Sequence, residues 1–249
     1  AAQYGTTMEV VGGKFAYATV KQHGHIQVWG SVSAPPADAP MVVPGSMVAS
    51  RAAFAAITTS TSGVLAFGAT ETGGVINHFA TELSSGVSSI AASYASFAAL
   101  KTDGTVYSWG SAITGGGTST LTMPSLVGVQ QVVASHAAFA ALLDTGRVVA
   151  WGDRTMGGDT AAVSAQLQVG KVVHLLATPS VFVAFKSDSS IVMWGHGPWG
   201  GNPSSSVQAQ LDSQVRAVYH NPVALAAVKV DGTVVAWGLA SGGGDCSAV

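Results

Sequence analysis

The sequence predicts an all-β fold, a six-bladed β-propeller built from repeats of about 42 residues. One observation is a hairpin that ends in an aromatic residue followed by Gly and recurs along the whole chain. The other is that two sets of landmarks keep the same period. The strand-terminal aromatics are Trp29, Phe67, Trp109, Trp151, Trp194 and Trp237, and the middle-strand landmarks are Phe15, Phe54, Phe97, Phe139, Phe182 and Leu225. A fixed period of this length indicates a repeat architecture, and radial packing of short-stranded repeats buries their faces.

Each repeat has the same parts in the same order. The hairpins lie near residues 13–30, 52–68, 95–110, 137–152, 180–195 and 224–238. In the clearest copy, residues 95–110, the small apolar strand is followed by Asp103-Gly104 and a strand that ends in Trp109. Asp-Gly between apolar runs predicts a type I′ turn, in which both central residues have positive φ. A glycine pair, such as Gly73-Gly74, begins six residues after the strand-terminal aromatic in five of the repeats.

The two ends of the chain complement each other. The 29 residues up to Trp29 and the 12 residues after Trp237 together make up about one repeat. We therefore expect a single domain over residues 1–249, closed by pairing of the N- and C-terminal segments in one blade, with seven blades as the alternative. The strand-terminal aromatics are expected to be buried between blades.

Composition narrows the possible partners. Charged residues make up 9% of the chain, against roughly 25% in an average domain. The net charge is −2 and the Lys and Arg residues are scattered, so no basic patch predicts binding to nucleic acid. No apolar run reaches the ~18 residues of a membrane span. A start at Ala-Ala is expected of a processed form or a fragment. Processing at Ala1 would favour an organelle lumen or extracytoplasmic compartment, and otherwise we expect the cytoplasm.

The repeat resembles that of the regulator of chromosome condensation family. The shared features are the Phe-Ala-Ala-Leu-x-x-Asp-Gly-x-Val-x-x-Trp-Gly core at residues 97–110 and the Gly six residues after the Trp. Two departures are the shorter repeat and the absence of the Gly-Gln-Leu-Gly that longer members carry after Trp-Gly. The family includes a nucleotide exchange factor for a small GTPase, a UV photoreceptor, ubiquitin-ligase subdomains and a β-lactamase inhibitor. The resemblance implies a propeller with a protein-binding surface on one face.

No motif predicts catalysis, a cofactor or a metal. Gly12-Gly13-Lys14 lacks the spacing of a phosphate-binding loop. A metal site needs three or four converging ligands, and His23-Gly24-His25 has no third ligand indicated in the sequence. The repeated aspartates are expected to be turn residues. We therefore expect a protein that is not an enzyme.

Residues that differ between the repeats are the candidates for partner binding. Trp199 is out of register with the other Trp residues, and Arg154 and Met156 occupy the matching loop of the preceding repeat. Arg51, Tyr94 and His136 share one variable position before the middle strand. An exposed aromatic side chain on a loop is a plausible anchor for a partner.

The expected function is a non-enzymatic scaffold that binds other proteins as a peripheral subunit of a larger assembly. A more specific expectation is an extramembrane subunit of a membrane or photosynthetic complex. The alternative is a regulator of a GTPase or enzyme, an exchange factor or inhibitor, that binds through one propeller face.

Overall fold

The computed structural model describes residues 5–117 and 126–246, which form six three-stranded antiparallel sheets. Each sheet is one blade and consists of three consecutive strands. The predicted all-β fold and the number of blades are confirmed. The chain divides into two compact units, residues 1–132 and 133–249. The predicted pairing of the terminal segments concerns residues 1–4 and 247–249, which lie outside the described residues, so the closed ring and the single domain stay predictions.

The strands are short and evenly distributed. Blades one to three comprise β1 (Thr7–Gly12), β2 (Ala16–Lys21), β3 (Ile26–Gly30), β4 (Val48–Ala49), β5 (Ala53–Ile57), β6 (Val64–Gly68), β7 (Val87–Ala92), β8 (Ser96–Lys101) and β9 (Val106–Gly110). Blades four to six comprise β10 (Val129–Ala134), β11 (Ala138–Leu143), β12 (Val148–Gly152), β13 (Val172–Ala177), β14 (Val181–Lys186), β15 (Ile191–Gly195), β16 (Val215–His220), β17 (Ala224–Lys229) and β18 (Val234–Gly238).

Helical elements are confined to the connections. The α-helices are α1 (Ser164–Gln168) and α2 (Ser205–Leu211). The 3₁₀ turns are Thr70–Thr72, Asn77–Phe79, Glu82–Ser84, Ala112–Thr114, Arg154–Met156, Ala161–Val163, Gly197–Trp199 and Ala240–Gly242. Among the described residues, no helix is long and apolar enough to cross a membrane.

Within each blade, an aromatic pair fixes the register of the hairpin. Phe97 lies opposite Trp109, and the ring centroids are 5.4 Å apart. In the first blade the residue opposite Trp29 is Tyr17, with centroids 5.7 Å apart. The predicted landmark Phe15 is therefore wrong by two positions, because it precedes β2. Stacked aromatic pairs of this kind contribute about 0.5–1.5 kcal/mol beyond their burial.

The hairpin turn differs from the predicted type. Lys101 and Thr105 close a three-residue loop, since the Lys101 N–H donates to the Thr105 carbonyl at 2.9 Å and the Gly104 N–H donates to the Lys101 carbonyl at 3.0 Å. Only Gly104 has positive φ, at 80°; Asp103 does not. The type I′ prediction is therefore wrong. A three-residue loop with a left-handed residue at its end suits a hairpin equally well, and Ser189 takes that conformation in the fifth blade with φ of 65°.

The hydrophobic core lies between consecutive blades. Ala53 and Ala55 of β5 pack with Phe97 and Trp109 of the third blade in one buried cluster. Small side chains on the middle strand let the neighbouring sheet approach, so the two faces interdigitate without voids. The Ala-rich middle strand of the repeat is therefore needed for contact between blades.

A hydrogen bond joins each of three Trp residues to the blade before it. The indole N–H donates to a glycine carbonyl in the pairs Trp109–Gly73 at 2.9 Å, Trp194–Gly157 at 2.9 Å and Trp237–Gly200 at 3.1 Å. Each glycine ends a 3₁₀ turn in the left-handed conformation. A side chain at Gly73 would also collide with the ring of Phe97, 2.5 Å from the ideal Cβ position. Glycine is thus required at position 73 both by the left-handed backbone conformation and by the lack of space for a side chain.

Trp29 departs from the predicted burial. It is 50% exposed, whereas Trp109, Trp151, Trp194, Trp237 and Phe67 are buried. Trp109, Trp194 and Trp237 lie against the glycine turn of the preceding blade, whereas the first blade has no blade before it in the sequence. The expectation that every strand-terminal aromatic is buried is therefore wrong for Trp29.

The difference in burial predicts different costs for two Trp substitutions. Trp109→Ala should lower the free energy of unfolding by about 3–5 kcal/mol, because it opens a cavity and leaves the Gly73 carbonyl unpaired. Trp29→Ala should cost less than half as much. Urea unfolding of both variants would measure this. Equal costs would mean that Trp29 is covered in solution, as a closed ring requires.

A matched pair of glycines separates backbone strain from packing. Gly73 and Gly243 both have φ of 93°, but a Cβ at Gly243 meets no described atom within 4 Å. Gly243→Ala should cost about 1–2 kcal/mol for the left-handed conformation alone. Gly73→Ala should cost about 1–3 kcal/mol more, because of the clash with Phe97. Similar losses of stability by thermal denaturation would contradict the packing role of Gly73.

Candidate functional site

Arg51, Tyr94 and His136 occupy one position in three blades, and each follows a buried serine. The Ser50 hydroxyl donates to the Thr72 carbonyl at 2.9 Å and accepts from the Ala53 N–H at 3.1 Å. Ser135 makes the corresponding pair of bonds to the Met156 carbonyl and the Ala138 N–H. Each serine ties the start of the middle strand to the 3₁₀ turn of its blade. The next residue is thereby held in a fixed place at the end of the blade.

A ladder of backbone hydrogen bonds connects this position between blades. In the first unit, the Lys14 N–H donates to the Arg51 carbonyl at 2.9 Å, and the Arg51 N–H donates to the Tyr94 carbonyl at 2.8 Å. In the second unit, the His136 N–H donates to the Pro179 carbonyl at 2.7 Å. Lys14 therefore belongs to the set, although sequence reasoning did not include it. Its place three residues before Tyr17, like that of Tyr94 before Phe97, is the signal that identifies it.

Lys14, Arg51 and Tyr94 form a basic cluster in the first unit. The Arg51 guanidinium lies 5.5 Å from the centroid of the Tyr94 ring. A hydrogen bond from Arg51 to the phenol oxygen, together with the charges of Lys14 and Arg51, holds the pKa of Tyr94 below its usual value. Among the described residues, neither cation forms an ion pair with a carboxylate, and the buried Arg51 Nε has no hydrogen-bond partner. The cluster thus presents positive charge that no neighbouring carboxylate offsets.

Arg154 lines a groove in the second unit. The groove has a volume of about 790 Å³ and lies between the loop after β12 and the loop and helix after β15. We call it the loop groove; its polar lining includes Arg154, Asp159, Gln166, Asn202, Gln208 and Asp212, and its apolar lining includes Met193, Trp194 and Ala209. Arg154 Nε lies 3.6 Å from Asp159 Oδ2, and the Arg154 side chain is 84% exposed. The groove is large enough for a peptide segment or a small ligand.

Trp199 and Met156 lie outside the lining of the loop groove. The Trp199 ring packs against His196 of its own loop, with centroids 4.5 Å apart. Met156 is half-buried, and its carbonyl accepts the bond from Ser135. Among the described residues, no hydrogen bond, ion pair or ring contact joins Trp199 to Arg154 or Met156. Of the three predicted loop residues, the structure brings only Arg154 to the groove, and a binding role for the other two stays a prediction.

The repeated aspartates act as turn residues. Asp103 Oδ1 accepts from the Thr105 N–H at 2.9 Å and from the Thr105 hydroxyl at 2.6 Å. The hydroxyl, more than the N–H, holds the pKa of the Asp103 carboxyl below its usual value. Asp188 and Asp231 accept the same pair of bonds in their own turns. These carboxylates are committed to local hydrogen bonds. In the described part of the chain, no three His, Cys, Asp or Glu side chains converge to hold a metal ion.

The third blade matches a known family model. Residues 87–112 match the model described as the regulator of chromosome condensation (RCC1) repeat. These residues contain β7, β8 and β9, with the glycine turn and the Trp described above. The third blade is thus similar to a regulator of chromosome condensation repeat. In this blade Trp109 is buried, and Gly115, six residues later, is left-handed.

Solved structures share the fold of this chain. The ectodomain of the receptor kinase CR4 from Physcomitrella patens is 17% identical over 93% of this chain, with a TM-score of 0.53, and this chain spans 61% of its length. Prp20p from Saccharomyces cerevisiae is 14% identical over 92% of this chain, with a TM-score of 0.57 and 71% of its own length covered. Yeast RCC1 (Prp20) bound to Kap60 is 14% identical over 94%, with a TM-score of 0.58 and 70% covered. At these identities the likeness shows the fold alone. The comparison with curated protein sequences finds no match.

The pKa of Tyr94 should lie below the usual value of a phenol, and removing the Arg51 charge should reverse this. The phenolate of Tyr94 is stabilised by the hydrogen bond from Arg51 and by the nearby charges. Arg51→Gln should therefore raise the pKa of Tyr94 towards its usual value. Difference absorbance of the protein against Tyr94→Phe would follow that single phenol. An unchanged titration in Arg51→Gln would contradict the contact.

Proposed function

We propose that this chain is a non-enzymatic protein-interaction module that works as a peripheral subunit of a larger assembly. The observation that carries the proposal is the loop groove, whose lining comes mainly from the loops and helices that connect the strands. Most of the repeated residues pack between blades or form turns, so we expect the connecting loops to bind the partner protein. The groove combines an exposed guanidinium, several side-chain amides and apolar walls. Such a mixture suits an extended protein segment, whose backbone offers hydrogen bonds to the amides.

Proteins with a similar fold support this class of function. Prp20p is described by its binding properties to Gsp1p and histones, and a further structure shows it bound to Kap60. Protein partners are therefore a reasonable expectation for RCC1-type blades on another chain. We extend the proposal to a fixed place in an assembly, with an extramembrane position on a membrane or photosynthetic complex as the most specific form.

A second candidate function is regulation of a GTPase or enzyme through one propeller face. The basic cluster favours it, because uncompensated cations can bind carboxylates at the surface of a target. Addition of the purified chain to a target should then change nucleotide release or turnover, and Lys14→Gln should weaken that effect. A scaffold would bind its partner without altering either rate.

Two neighbouring residues on α2 allow a controlled test of the loop groove. Ala209 lines the groove, whereas Gln210 does not. Ala209→Arg should reduce recovery of partner proteins at least tenfold when the tagged full-length protein is purified from its source cells, because the new side chain fills the groove. Gln210→Arg adds the same charge on the same helix and should leave recovery unchanged. Equal recovery with both variants would exclude the groove as the binding site.

A further inference from the structure

We propose that the basic cluster of Lys14, Arg51 and Tyr94 is a docking site for an acidic segment of a partner protein. This surface lies in the first unit and is independent of the loop groove. The expected ligand carries one or two Glu or Asp side chains next to an apolar residue.

The backbone fixes where the cluster residues stand. The ladder from Lys14 to Arg51 and from Arg51 to Tyr94 joins three successive blades at 2.9 and 2.8 Å. Ser50, the residue before Arg51, is anchored to Thr72 and Ala53, and Ser93, before Tyr94, is anchored to Thr114 and Ser96. The polar groups therefore start from preset positions. A ligand that binds them loses less free energy to ordering of the backbone than it would on a free loop.

The charge of the cluster is unbalanced. The whole chain has ten Lys and Arg residues, and two of them act together on the Tyr94 phenol. Among the described residues, no carboxylate pairs with either cation, and the Arg51 Nε–H is buried without an acceptor. A carboxylate would accept from the guanidinium and reduce the repulsion between the two cations.

An apolar surface lies beside the cations. Lys14 Nζ is 5.5 Å from the centroid of the Phe15 ring, and Phe15 is 48% exposed. A ligand with an acidic side chain followed by an apolar one would contact both features. Desolvation by the apolar neighbour would strengthen the ionic contact, since screening by water is reduced.

A protein segment fits this surface better than a nucleic acid. A phosphate backbone gains affinity from many cations spaced along it, whereas the cluster offers two. The same position holds His136, Pro179 and Pro222 in the other blades, so the positive charge does not continue there. One or two carboxylates match the number of cations.

The test uses a fluorescein-labelled peptide, Gly-Ser-Glu-Glu-Phe-Gly-Ser, and the same peptide with Gln in place of both Glu residues. Fluorescence anisotropy with the full chain should show binding of the Glu peptide and at least tenfold weaker binding of the Gln peptide. The double variant Lys14→Gln/Arg51→Gln should bind the Glu peptide at least tenfold more weakly than the wild type. Arg216→Gln, an exposed cation with no place in the cluster, should bind it like the wild type.

A second readout reports on the site itself. A bound carboxylate offsets the charges of Lys14 and Arg51, so saturating Glu peptide should raise the pKa of Tyr94. Difference absorbance against Tyr94→Phe measures this without reference to affinity. If the double variant has a lowered melting temperature, the single variant Lys14→Gln serves as the control for folding, because the Lys14 side chain is exposed. It should weaken binding of the Glu peptide in part.

Several results would overturn the proposal. They are equal affinity in the double variant, equal loss in Arg216→Gln, an unmoved Tyr94 titration, or tighter binding of a single-stranded oligonucleotide than of the Glu peptide. Ala209→Arg in the loop groove should leave Glu-peptide binding unchanged. Failure of the groove and failure of the basic cluster are therefore distinguishable.

Discussion

The packing of a Trp residue against the glycine turn of the preceding blade is the contact on which the architecture depends. The Trp109 ring is buried between blades, and its N–H donates to the Gly73 carbonyl at 2.9 Å. Burial of a Trp contributes on the order of 4–6 kcal/mol as an upper bound, and the hydrogen bond satisfies two groups that would otherwise be buried unpaired. The turn must be left-handed at Gly73 to present that carbonyl and must lack a side chain to admit Phe97. One repeat thus supplies the glycine and the next supplies the aromatic pair, which explains why both recur with the same period.

A second contact connects the scaffold to its variable surface. Ser50 and Ser135 each satisfy a carbonyl of the 3₁₀ turn and an N–H of the middle strand. Asn221 does the same in the sixth blade, where its amide donates to the Gly242 carbonyl at 2.7 Å and its oxygen accepts from the Ala224 N–H at 2.9 Å. The polar side chain closes the end of the blade. The residue that follows can then vary without loss of a structural contact, which makes its identity informative about binding.

The spacing of aromatic residues was sufficient to predict six hairpins, because that spacing reflects the packing contact itself. The predicted register of the first repeat is wrong, because its turn holds His23-Gly24-His25 and Phe15 lies two residues before the true landmark, Tyr17. The wrong register also hides the equivalence of Lys14 and Tyr94. The dipeptide Asp103-Gly104 does not determine the turn type, because it occurs in hairpin loops of two and of three residues. These two loops differ in which residues of the two strands pair. The sequence does not predict that Ser50 joins the 3₁₀ turn to the middle strand, because serine is common in loops. The loop groove depends on how two loops of different blades approach, and no local pattern encodes that distance.

The ladder position shows how the fold leaves room for function. Its backbone groups are used between blades, as the bond from Arg51 to the Tyr94 carbonyl shows, while its side chains take no part in the core. Proline has no N–H to donate, but Pro179 keeps the carbonyl that accepts from the His136 N–H. Proline is therefore tolerated at this position. Stability alone therefore does not favour a basic residue there over proline. Lys14 and Arg51 nevertheless hold this position in adjacent blades of a chain with few charges, and no carboxylate among the described residues pairs with either cation. The fold does not account for this arrangement of charge, and an acidic ligand of the kind proposed above would supply the carboxylate that the cluster lacks.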